Sequence, residues 1–111
     1  MMQITDNLES DVLICKVDGE INIDTSPQLR KTFAEYISKN NKKIIIDFSG
    51  LTYIDSSGIA TFIELFQRLK RIEGKFRICS MSTKVRSVFE VTKVLKLFEV
   101  FDSKDEALKG F

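Results

Sequence analysis

Two hydrophobic periods alternate along this chain. The apolar run Val12-Leu13-Ile14-Cys15-Lys16-Val17 predicts a strand ended by the turn pair Asp18-Gly19, and Gln3-Ile4-Thr5 with Leu8 predicts a shorter strand before it. The two form an opening hairpin across Glu9-Ser10. Ser26-Pro27 marks a helix start, with serine accepting from first-turn amides and proline occupying a position that needs no donor. Leu29, Phe33 and Ile37, with Ala34 beside them, then trace an apolar face that ends near Asn40-Asn41. Residues 42–48 hold three consecutive isoleucines where a one-sided strand would alternate, so a central strand covered on both faces is predicted. A second short extended piece follows the turn after it.

From Ser57 onward Ile59, Phe62, Ile63, Phe66, Leu69 and Ile72 form one stripe, with Glu64, Gln67, Arg68, Lys70 and Arg71 opposite and Gly74 as the stop. Residues 75–79 alternate as a strand. Ser82 caps a third helix presenting Val85, Val88 and Phe89; residues 97–101 make a last strand; Ser103 caps a short terminal helix. Strands alternating with helices give an α/β fold, a single domain over residues 1–111, whose mixed central sheet is flanked by about four helices.

Composition narrows the function classes. With 111 residues, 43% of them hydrophobic, the chain fills one core rather than two. The 17 basic and 16 acidic residues leave a net charge of +1, which argues against direct nucleic-acid binding and against an anionic-membrane footprint. Cys15 and Cys79 sit in separate apolar runs without ligand spacing, and read as buried reduced thiols of a cytoplasmic protein. The start of the chain lacks the basic and apolar regions of a signal peptide, and no run is long enough to insert in a membrane. With no histidine, a Ser-His-Asp hydrolase is excluded and the commonest transition-metal ligand is missing. Neither a glycine-rich phosphate loop nor any cofactor or metal motif is present, so the chain does not read as an enzyme.

The chemistry that remains is concentrated in Asp55-Ser56-Ser57-Gly58. Ser56 reads as the N-cap of the long helix, and Gly58 in its first turn leaves backbone donors open to approach. Phosphorylation of Ser56 would add about −1.5 to −2 charges at the positive end of that helix, leaving the fold intact while changing its surface. Asp55 would repel the new charge, so a docking surface at this turn is what would be perturbed.

With Gly19-Glu20-Ile21, Ile45-Ile46-Asp47-Phe48, Tyr53-Ile54-Asp55-Ser56-Ser57-Gly58-Ile59, Cys79-Ser80-Met81-Ser82 and the stretch from Val85 to Phe89, the chain resembles the STAS domain family, in particular bacterial anti-sigma factor antagonists. The resemblance implies a STAS fold over nearly the whole chain. It also implies a switch in which Ser56 is the phosphoacceptor and Ser57 its neighbour. The unphosphorylated protein would bind an anti-sigma factor that is itself a serine kinase; phosphorylation would end the interaction, and a metal-dependent serine phosphatase would restore it. Asp55, Ser57 and Gly58, with Asn22 and Asp24, are the implied partner-binding residues. Many antagonists carry aspartate where Asn22 stands, and the nearest carboxylate here is Asp24, two places on. Asn22 also reads as a turn residue capping its own backbone.

Two further features have plainer readings. Arg68, Lys70 and Arg71, with Lys75 and Arg77, form a basic cluster that reads as solvated helix surface or as a dock for an acidic partner. Phe98, Phe101 and Phe111 read as core, with a terminal apolar patch as the alternative. A second function class keeps the fold: a STAS subunit of a membrane transport or signalling assembly without a phosphate cycle.

Overall fold

Three consecutive isoleucines form the middle of the molecule. In the computed structural model, which describes residues 1–111, β3 (Lys43–Asp47) lies between β2 (Val12–Ile21) and β5 (Lys75–Cys79), parallel to both. Ile44 and Ile46 enter the larger core and Ile45 the smaller core on the opposite face, and all three are fully buried. A strand covered on both faces offers no position for a polar side chain, which is why this run does not alternate. At one edge β1 (Met2–Glu9) pairs antiparallel with β2; at the other, β6 (Glu99–Phe101) runs parallel with β5. A short strand, β4 (Leu51–Ile54), pairs with the far end of β2 and completes a mixed six-stranded sheet ordered β1-β2-β3-β5-β6.

Helices α1 (Ser26–Ser38), α2 (Ser56–Arg71) and α3 (Thr83–Val91) cover one face, and the five-residue α4 (Lys104–Leu108) part of the other. The predicted α/β fold with four helices is the one observed. Ile59, Phe62, Leu65 and Leu69 on α2 are each 5% exposed or less. Each such side chain contributes about 1.5–3 kcal/mol by leaving water. Phe62 is the hub of this core, with ring centroids 5.4 Å from Phe33, 5.3 Å from Phe48 and 6.3 Å from Phe76.

Three boundaries differ from the sequence reading. Asp18-Gly19 does not end β2: both residues pair with β1, and the strand continues to Ile21 through a register shift between Gly19 and Glu20. Gly19 has φ +93°, and a side chain there would meet the Met1 carbonyl oxygen, so the turn signal in the sequence is a glycine bulge. Ser26 is buried inside α1 and is not its cap. Of the predicted last strand only Glu99–Phe101 pairs with the sheet, because residues 95–97 form a 3-10 turn.

Arg77 ties α4 to the sheet. Its Nε donates to Glu99 Oε1 at 2.7 Å, and one terminal nitrogen donates to the carbonyls of Ala107 and Lys109 at 2.9 and 2.8 Å. Phe101 and Phe111 flank the guanidinium at 5.2 and 4.5 Å, so these two rings cover a cation, while Phe98 is buried beside Phe76 and Phe89. Both cysteines are free and buried. Burial pushes the Cys15 thiol up to about 12, against a smaller opposing hydrogen bond from Tyr36, and raises Cys79 to about 11.

Candidate functional site

The bulge at Gly19 turns the end of β2 toward β4, so that Ile21 pairs with Ile54 and the Asp55 amide donates to the Ile21 carbonyl at 3.2 Å. Two chain segments therefore leave the sheet side by side: residues 22–25, entering α1, and residues 55–58, entering α2. All five site residues expected beside Ser56 lie on this pair of segments.

The start of α2 is capped by Asp55, not by Ser56. Asp55 has extended backbone (φ −118°, ψ −171°), and its Oδ1 accepts from the Ser57 amide at 3.0 Å, the Gly58 amide at 3.4 Å and the Ser57 hydroxyl at 2.5 Å. A carboxylate supplies charge as well as an acceptor at the positive end of a helix, so it takes the position a serine would otherwise fill. Burial alone would raise the Asp55 carboxyl; the hydrogen bonds from Ser57 and Gly58 outweigh that and hold it below its ordinary value.

This arrangement separates the two serines. Ser57 is half-buried and its hydroxyl is engaged by Asp55. Ser56, the first residue of the helix, is exposed, and its hydroxyl makes no hydrogen bond within the protein. Gly58 is buried instead of open: a Cβ there would lie 2.6 Å from Ile21 Cγ2 and 2.7 Å from Ile54 Cγ1, and its amide is directed at Asp55. Its small size thus lets α2 sit against the ends of β2 and β4.

Asn22 organises the neighbouring loop. Its Oδ1 accepts from the amides of Asp24 and Thr25 at 2.9 and 3.1 Å, while the Asn22 amide donates to Thr25 Oγ1 at 2.9 Å and Thr25 Oγ1 donates to the Glu20 carbonyl at 2.9 Å. The backbone-capping role read for Asn22 is present, and its Nδ2 group is left without a partner in the protein. Asp24 is exposed at the rim of the same loop. Sequence reasoning passed over two apolar side chains here. Ile23 is 74% exposed and Tyr53, opposite Glu20 in the β2–β4 register, is 40% exposed. An isoleucine flanked by two loop polars was the available signal for the first, and the outward position on a half-buried strand for the second.

A family model for the STAS domain matches residues 2–107. The chain belongs to the STAS domain family. It is similar to a protein of Bordetella bronchiseptica named as an anti-sigma factor antagonist, BtrV, at 27% identity over 110 residues, covering 99% of this chain and 95% of that one. It is also similar to the anti-sigma F factor antagonist of Paenibacillus polymyxa, at 24% identity, covering 87% and 84% of the two chains. Among solved structures, the anti-sigma factor antagonist SpoIIAA in its unphosphorylated form superposes with a TM-score of 0.82 at 21% identity, covering 96% of this chain and 93% of that one. That last likeness is one of fold. In this STAS domain no helix is long and apolar enough to cross a membrane.

Proposed function

We propose that this STAS domain is a cytoplasmic anti-sigma factor antagonist that binds an anti-sigma factor serine kinase and is switched off by phosphorylation at Ser56. The observation that carries the reading is the contrast between the two serines: Ser57 is held by Asp55, and Ser56 is exposed and unpartnered. The names of its relatives support an anti-sigma factor as the partner, and the kinase activity of that partner is part of the proposal.

In the unmodified state the partner docks on the surface made by Ser56, Ser57 and the loop of Asn22 and Asp24, with Ile23 and Tyr53 adding apolar contact. The partner's kinase centre then transfers the γ-phosphoryl group of ATP to Ser56 Oγ. An O–P bond forms, ADP leaves, and the hydroxyl proton passes to a base of the kinase. The product carries about −1.5 to −2 charges beside the Asp55 carboxylate. Because Asp55 already occupies the first-turn amides, the phosphoryl group lies in the docking surface and not within the helix start. Losing about 1.4 kcal/mol there weakens binding tenfold, and a misplaced dianion costs several times that. A metal-dependent serine phosphatase hydrolyses the ester and restores binding. Throughout, this protein is ligand and substrate, not catalyst. Asn22 presents its free amide group where an aspartate would present charge, so the partner group facing it is an acceptor; Asp24 supplies the exposed carboxylate of the loop.

A pull-down from cell extract tests this reading. Wild-type bait should recover an ATP-binding serine kinase and Ser56→Asp bait should recover much less of it. Equal recovery by both baits contradicts the switch, and recovery of transporter components without a kinase favours a STAS subunit of a transport assembly.

A further inference from the structure

The net charge of +1 conceals a difference between the two ends of the molecule. Around the start of α2 stand Glu20, Asp24 and Asp55, with Asp18 paired to Lys16 at 3.7 Å and Lys84 and Arg86 on the neighbouring start of α3; α2 ends 16 residues later in Arg68, Lys70 and Arg71, with no carboxylate paired to them. At 1.5 Å per residue the two ends are about 24 Å apart. Packing of Phe66 on Phe98, with ring centroids 6.0 Å apart, brings the segment after α3 against this basic end. Lys70 lies one helical turn beyond Phe66, on the same side of α2. Lys93 and Lys96 on the approaching segment are exposed and, like Lys70 and Arg71, form no ion pair. Of the acids nearby, Glu99 is engaged by Lys75 and Arg77 at 3.4 and 2.7 Å, leaving Glu73 and Glu90 as the exposed negative charges.

Apolar side chains are interleaved with these cations. Val91 is 80% exposed and Leu97 47% exposed, and Ile63, Phe66, Val94 and Leu95 are only partly buried at the margin of the core. The left-handed backbone of Lys93 (φ +61°) makes the tight turn that follows Val91. The surface has no deep groove: Gln67, Lys70 and Arg71 line an open, shallow depression of about 470 Å³. Exposed aliphatics set among unpaired lysines on a shallow surface fit the interface of a bilayer. There the hydrocarbon enters the headgroup boundary and the ammonium groups meet anionic lipid. Stacking platforms for a nucleic acid are absent from this surface, since its one aromatic, Phe66, packs edge-on against Phe98.

We propose that the surface formed by Lys70, Arg71, Lys93, Lys96, Val91 and Leu97 docks this protein peripherally on an anionic lipid bilayer. Ser56, at the opposite end of α2, then faces away from the membrane. The proposal does not depend on phosphorylation of Ser56 or on a kinase partner. It is tested by co-sedimentation of the full chain with phosphatidylcholine vesicles prepared with and without phosphatidylserine. The wild type should partition onto the anionic vesicles, and less so as salt is raised. The double variant Lys70→Glu/Lys96→Glu should lose about tenfold or more of that partitioning. Leu97→Ser should weaken it, and Lys84→Glu, in the first turn of α3 at the end of that helix far from Val91, should leave it unchanged, with circular dichroism showing all variants folded. Equal binding to neutral and anionic vesicles, unchanged binding by the double variant, or an equal loss in Lys84→Glu would overturn the proposal. Binding to soluble polyglutamate with none to vesicles would overturn it too, assigning the surface to an acidic protein.

Discussion

The Asp55 carboxylate accepts the Ser57 hydroxyl at 2.5 Å, and the same oxygen accepts the Ser57 amide at 3.0 Å. One carboxylate thereby closes the start of α2 and engages the hydroxyl of one of two adjacent serines. We predict that Asp55→Ala destabilises the fold by about 1 kcal/mol through loss of the cap. The same change should release the Ser57 hydroxyl, so kinase treatment of the variant yields phosphate on both serines by mass spectrometry. Phosphate confined to Ser56 would show that the kinase, not Asp55, makes the choice.

The pH dependence of the cap follows from the depressed Asp55 carboxyl. A carboxyl that is more acidic folded than unfolded adds stability that is fully present above its unfolded value and is lost as pH falls through its folded value. The Ser57 and Gly58 amide resonances should therefore titrate together, with a midpoint below the ordinary aspartate value of 3.8. In Asp55→Asn that titration should vanish. Its persistence would assign the effect to another carboxyl.

Gly58→Ala should cost about 1–3 kcal/mol, because the added methyl overlaps Ile21 and Ile54 and forces α2 off the strand ends. Urea unfolding measures this. Ser57→Ala, which removes one partly exposed hydroxyl from an intact cap, should cost clearly less. Equal effects would mean that the close contact at Gly58 is relieved cheaply.

Arg77→Ala should free α4 before it disturbs the sheet. The substitution removes the donors to Ala107, Lys109 and Glu99 together, and a hydrogen bond from a charged group contributes about 1.5–3 kcal/mol. Hydrogen exchange should rise in residues 104–108 while β3 and β5 stay protected. Uniform loss of protection would show that the clamp stabilises the whole sheet.

Much of this fold could be read from periodicity, and the misreadings have physical causes. The three isoleucines of β3 and the stripe along α2 predicted their environments because burial on two faces, or on one, leaves a distinct pattern. Ser82 and Ser103 cap α3 and α4 as their positions implied, accepting from Val85 at 3.1 Å and Glu106 at 3.2 Å. Gly19 was misread because a glycine with positive φ serves a turn and a bulge equally, and only pairing with β1 separates them. At the site, the strand, the helix start and both serines were visible. Which residue caps was not, because aspartate and serine both suit that role, and the choice rests on the extended backbone of Asp55. Ile23 and Tyr53 were missed because exposure of an isolated apolar residue leaves no period in a loop or a four-residue strand.

The central claim is that Ser56 is the switch, and phosphosite mapping after incubation with the cognate kinase and ATP tests it most directly. Wild type and Ser57→Ala should each gain one phosphate on Ser56, and Ser56→Ala should gain none. A Ser56→Ala protein phosphorylated as well as the wild type would contradict the account.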